Sequence, residues 1–67
     1  MINVTINGEQ KEVTGGLTVD GLLRKLGIPK DSVIVERNKT PLNRDRYTDE
    51  PVEDGDQLEL IQLMGGG

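Results

Sequence analysis

The stretch MINVTINGEQKEVTGGLTVDGLLRKLG, residues 1–27, decides the architecture. Ile2, Val4 and Ile6 alternate with Asn3, Thr5 and Asn7. That period of two belongs to a half-buried strand. Asn7-Gly8 follows, and Asn-Gly is a strong hairpin signal because both central residues of a type I′ turn need positive φ. Residues 9–14 then return as a second, more polar strand with Val13 as its inward anchor. Gly15-Gly16 ends the strand, and Thr18 is placed to cap a helix with Asp20 in its first turn. Val19, Leu22, Leu23 and Leu26 fall at i, i+3, i+4 and i+7, one helical face. Arg24 and Lys25 suit the last turn, Gly27 the C′ position, and Pro29 prevents continuation. Gly21 inside this helix costs about 1 kcal/mol relative to alanine, and a close approach to the sheet is its expected reason.

Beyond the helix, residues 32–36 (SVIVE) read as a short β-branched third strand. Residues 37–51 lose periodicity. Leu42, Tyr47 and Val52 stand as isolated apolar anchors, so a short fourth strand, a turn or 3₁₀ piece and loop are expected there. Glu53-Asp54-Gly55-Asp56 is turn chemistry, and residues 57–64 form the last strand. The order is hairpin, helix, strand, irregular segment, strand, and one amphipathic helix covers one sheet face. It predicts an α+β fold, a β-grasp (ubiquitin-like) with a mixed sheet of four to five strands packed on one main helix. The chain is expected to be one domain, residues 1–67, with 65–67 as a flexible tail.

Composition narrows the chemistry. The 67 residues contain no cysteine and no histidine. Disulfides, thiolate zinc sites, thiol nucleophiles and imidazole bases are therefore excluded. Paired carboxylates remain, but they need a cleft that shifts their pKa values, and one small core rarely encloses one. The chain is read as a substrate of other enzymes rather than an enzyme. Twelve acidic against eight basic residues give a net charge of -4, with no Lys/Arg stripe for phosphates. Nucleic acid is not an expected partner; the charge suits either solubility or docking on a basic face. The start MINVTING lacks a basic n-region and an apolar h-region, and no apolar run reaches membrane-spanning length. A soluble, cytoplasmic protein with no membrane association is expected.

The last strand differs from the first. Leu58 and Leu60 share one face with Gln62 and Met64, while Ile61 and Leu63 share the other with Gln57 and Glu59. A strand covered on one face should not need apolar residues on both. Either loops shield the outer face, or Ile61, Leu63 and Met64 form an exposed docking patch for a partner; the latter is the preferred reading. Gly65, Gly66 and Gly67 follow. Without Cβ atoms they pass through tunnels too narrow for side chains, and they deliver an unhindered carboxylate on Gly67. A frayed end or a cloning remnant is the alternative for glycines taken alone.

At these residues the chain resembles the ThiS family, the sulfur carriers of thiamine thiazole synthesis within the ThiS/MoaD ubiquitin-like group. The likeness spans the Asn-Gly hairpin, LTVDGLLRKLG, VIVERN, the Arg46-Tyr47 pair, EDGDQLEL and the terminal glycines. The family's minimal ending is two glycines, whereas three stand here. The resemblance implies that a ThiF-like adenylating enzyme, using ATP and magnesium, activates the Gly67 carboxylate. Sulfur from a cysteine desulfurase or rhodanese-like donor would then yield a thiocarboxylate, which a ThiG-like thiazole synthase consumes. Gly65 and Gly66 would thread into the partners' active sites. It implies no metal or cofactor held by this chain, no catalytic residue in it, and a monomer when free. A MoaD-like small subunit of molybdopterin synthase and a ubiquitin-like protein modifier are the rivals, and an inert-tailed binding module is a third. The acidic residues Asp45, Asp49, Glu50, Glu53, Asp54 and Asp56 are expected to form a solvated face, with partner steering as the other reading.

Overall fold

A computed structural model describes residues 1–63. Strands β1 (Ile2–Ile6) and β2 (Glu9–Val13) form the opening hairpin, with Ile2 opposite Val13 and Ile6 opposite Glu9. Asn7 and Gly8 take φ of 51° and 84°, the positive values a type I′ turn needs. Helix α1 (Val19–Lys25) follows, then β3 (Val33–Arg37), β4 (Thr40–Pro41) and β5 (Gln57–Gln62). Two single-turn 3₁₀ pieces lie at Lys30–Ser32 and Arg44–Arg46. The five strands make one sheet in the order β2-β1-β5-β3-β4, with β1 and β5 parallel and the other pairs antiparallel. The mixed sheet and single helix are the β-grasp arrangement, as expected from the element order.

Both helix ends are closed by hydrogen bonds from outside the regular helical ladder. At the N-terminus Val19 N–H donates to Glu50 C=O (2.8 Å) and Asp20 N–H to Tyr47 C=O (2.8 Å), while Gly21 N–H reaches Thr18 Oγ1 (3.1 Å). Thr18 is thus the cap the sequence called for, and the irregular segment supplies the two bonds a side chain cannot. At the C-terminus Gly27 (φ 74°) donates to Arg24 C=O and Ile28 to Leu23 C=O, a Schellman closure.

Val4, Ile6, Val19, Leu22, Leu23, Val33, Val35, Tyr47, Val52 and Leu58 make the core between helix and sheet. Leu26 departs from expectation: it is the helix C-cap and lies 38% exposed. The chain turns there, and Ile28 packs against the core instead. Gly21 departs too. A Cβ on it would meet Leu17 Cδ2 at 3.4 Å and Thr18 Oγ1 at 3.5 Å, ordinary contacts within its own helix entry rather than the sheet. Ser32 belongs to the 3₁₀ turn, so the third strand begins one residue later than the β-branched run suggested.

Tyr47 joins the irregular segment to the sheet. Its side chain is 1% exposed, and its hydroxyl accepts the Val35 N–H at 2.9 Å. Tyr47→Phe is expected to lower unfolding free energy by about 1–3 kcal/mol, because a buried N–H loses its acceptor. Gly21→Ala is expected to raise it by about 0.5–1 kcal/mol, since the site has room and alanine is the better helix former. Denaturant unfolding of both variants checks the opposite signs.

Candidate functional site

β5 has two chemically different faces. Leu58 is 2% exposed and Leu60 is half-buried on the helix side. Ile61 and Leu63 stand on the outer side at 43% and 37%. The antiparallel register sets Ile34 of β3 directly opposite Ile61, and Ile34 is also exposed. Ile34, Ile61 and Leu63 therefore form one apolar strip, and loops do not shield it. Only Met1 and Leu26 join these three among the large apolar side chains exposed in the described residues, so the strip is a concentration and not scatter.

The next pair along the same face is Glu36 opposite Glu59. Like charges directly across a strand pair destabilise it, and neither carboxylate joins an ion pair among the described residues. The outer face thus carries an apolar end and an acidic middle. Such a surface matches a partner offering aliphatic contact beside a cation.

Two asparagines hold β5 in place. Asn38 (φ 52°) donates its N–H to Gln57 C=O at 2.7 Å and accepts the Gln57 N–H on Oδ1 at 3.0 Å. On the other side Asn7 N–H donates to Leu58 C=O at 3.0 Å, and Asn7 Oδ1 accepts the Leu60 N–H at 2.8 Å. Each hairpin turn thereby anchors the strand beside it. At its far end Leu63 N–H donates to Ser32 C=O at 2.9 Å, the last described bond before the glycines.

The acidic residues do not form the uniform solvated face expected of them. Asp45, Asp49, Glu53 and Asp54 are exposed, but Asp56 is 7% exposed and accepts the Glu53 N–H on Oδ2 at 2.9 Å. Asp54 Oδ1 accepts the Asn3 N–H at 2.8 Å. Glu50 is half-buried and pairs with Arg37 at 2.5 Å and Arg46 at 3.6 Å. Arg37 also donates from Nη1 to Pro51 C=O at 2.8 Å. Glu50 and Asp56 clamp the end of β3 to the segment that caps the helix; their job is local structure.

A hollow of about 260 Å³ lies away from the strip, between β2 and α1. Met1, Leu17, Leu22 and Leu26 line it with Glu12 and Lys25, so it gathers no set of carboxylates. Of the site residues expected from sequence, the structure brings Ile61 and Leu63 together. Met64, Gly65, Gly66 and Gly67 lie outside the described residues. Ile34, Glu36 and Glu59 were not anticipated; the signal was in the alternation of SVIVE, legible once β3 is paired antiparallel with β5.

Comparisons with known proteins agree with this fold. A crystal structure of a thiamine biosynthesis protein (ThiS) from Geobacter metallireducens superposes with a TM-score of 0.83 at 38% identity, covering 98% of this chain and 100% of that one. The chain is 35% identical to the sulfur carrier protein ThiS of Bacillus subtilis, covering 92% of this chain and 96% of that protein. It is also 38% identical, over 98% of its length, to part of a thiazole synthase of Paramagnetospirillum magneticum. The chain spans only 20% of that relative's length. The model of the ThiS family matches residues 4–67, and the chain belongs to the ThiS family.

Proposed function

We propose that this chain carries sulfur for thiazole formation as a thiocarboxylate on Gly67. A carboxylate is a poor electrophile. A ThiF-like enzyme joins the Gly67 carboxylate to the α-phosphate of ATP and releases pyrophosphate, so that AMP becomes the leaving group. Persulfide sulfur from a cysteine desulfurase or rhodanese-like donor displaces AMP, and thiol attack on the resulting acyl disulfide frees the thiocarboxylate. A thiazole synthase then takes the sulfur and returns the carboxylate. The chain acts as a co-substrate in the cytoplasm, where ATP is at hand, with ATP and magnesium bound by the activating enzyme. Gly65 and Gly66 allow the tail to enter a channel that any Cβ would block.

One observation carries this reading: the exposed Ile34, Ile61 and Leu63 strip lies where the chain leaves the sheet toward the glycines. One residue separates Leu63 from Gly65 in sequence, so a partner seated on the strip can engage the glycines as well. The names of the relatives support the chemistry, since one is called a sulfur carrier and another a thiazole synthase. The unpaired Glu36 and Glu59 add a charge that a basic partner face would answer.

Intact-mass measurement tests the carrier step. With an active adenylating enzyme, ATP, magnesium and a persulfide donor, the chain is expected to exchange one terminal oxygen for sulfur; an unchanged mass would overturn the proposal. Ile61→Asp tests the docking strip. It is expected to lower unfolding free energy by about 1 kcal/mol and leave the chain folded, because Ile61 is 43% exposed and aspartate is a poor strand residue beside Glu59. Thiocarboxylate formation should nevertheless fall about tenfold or more at limiting carrier, as for a residue central to an interface. Equal activity of a folded Ile61→Asp chain would remove the strip from the mechanism.

A further inference from the structure

β5 is an interior strand for only half of its length. Its parallel pairing with β1 covers Thr5 with Gln57 and Ile6 with Leu58, and then β1 turns away at Asn7-Gly8. The even-numbered residues of β5 point their backbone groups to that side: Leu58 C=O accepts from Asn7, and Leu60 N–H donates to Asn7 Oδ1. Odd-numbered residues face β3, as the Gln57 and Leu63 bonds show. Strand alternation then directs the Leu60 C=O and the Gln62 N–H and C=O into the lane that β1 has vacated. Among the described residues these three groups have no partner.

The sheet's other open edges are guarded. β2 presents Glu9, Lys11 and Glu12, all exposed, and β4 is two residues long and ends on Pro41. Charges, brevity and proline are the ordinary means of keeping strands from pairing with foreign chains. Residues 60–63 (LIQL) have none of these. They combine unpaired backbone, no charge and the exposed Ile61 and Leu63 side chains. An unguarded edge of that kind suits an extended segment, which makes main-chain bonds along it.

We propose that the vacant lane beside Leu60–Gln62 accepts an extended strand from the thiazole synthase partner. The strand prolongs β1's place in the sheet, bonds the Leu60 C=O and the Gln62 amide, and lies along the last described residues before the tail. The assignment of the partner rests on the carrier reading above and on relatives in which the counterpart of this chain is part of a longer protein called thiazole synthase. Asn7 fills the one group nearest the turn, so it sets where the incoming strand begins.

Gln62→Pro tests this in the full-length chain. Proline removes the N–H that faces the lane, while the β3–β5 bonds use Ile61 and Leu63, so the unfolding midpoint should stay at the parent value. Binding to thiazole synthase is expected to weaken about tenfold, whereas Gln62→Ala, which keeps the N–H, binds like the parent. Should Gln62→Pro unfold, a synthetic chain with a backbone ester at Gln62 removes the same N–H and is expected to weaken binding likewise. In the parent, the Gln62 amide should exchange rapidly with solvent when free and be protected in the complex. Unchanged binding of the folded proline or ester chain, or an amide left unprotected, overturns the strand-acceptor assignment and leaves the carrier reading intact. A loss confined to the adenylating enzyme overturns the choice of partner. A parent chain that does not bind thiazole synthase at all overturns the carrier reading itself.

Discussion

The buried Tyr47 is the joint on which the other parts turn. Its hydroxyl accepts the Val35 N–H and its backbone carbonyl accepts the Asp20 N–H, so one residue bonds both the sheet and the helix. Val35 needs that acceptor because β4 is too short to pair along the whole of β3. The helix needs the carbonyl because its first N–H groups have no partner within the helix. With the only aromatic ring of the chain filling the space between them, a core of small aliphatics closes over an otherwise irregular segment. The Arg37 and Glu50 pair, backed by Asp56, holds the same segment from the other end.

That arrangement places the helix and the irregular segment on one side of the sheet and leaves the other side bare. The bare side is where β3 and β5 set Ile34 against Ile61 and Glu36 against Glu59. Neither pairing is what a lone sheet would select for stability: the first leaves aliphatic surface in water and the second opposes two negative charges. Both become favourable when a surface with apolar groups and a cation lies on top. The face is thus tolerated by the fold, and under the proposed docking a partner completes it. The stability that tolerates it comes from the far side, where helix and sheet bury Leu22, Leu23, Val35 and Leu58.

How much was legible in the sequence depended on how local the determining contact is. The Asn7-Gly8 turn, the Thr18 cap and the Gly27 stop are each set within a few residues, and each stands where it was read. Ile61 and Leu63 were legible because two-residue periodicity exposes a strand with too much apolar surface. Ile34 was not, since its membership of the patch depends on a register between strands far apart in sequence. The Asn38-Lys39 turn also escaped notice: Lys39 takes φ of 71° without being a residue that announces positive φ. Glu50 and Asp56 looked like neighbours in a solvated acidic run, and only the folded chain brings Arg37 between them. Leu26 fits the helical period, but the period says nothing of where the Schellman turn lifts the chain away.

β5 is the last strand in sequence and sits at the centre of the sheet, bonded to β1 across nearly the whole chain. Contacts so distant along the chain form late and slowly, and the sheet cannot close without them. A polypeptide still being made, or one cut before Gln57, has hairpin, helix and β3 but no centre. It also lacks the strip that partners would read, because Ile61 and Leu63 are part of the closing strand. Display of the apolar strip and completion of folding are therefore the same event. A partner that recognises this face inspects the integrity of the carrier at no added cost, and unfinished chains are invisible to it.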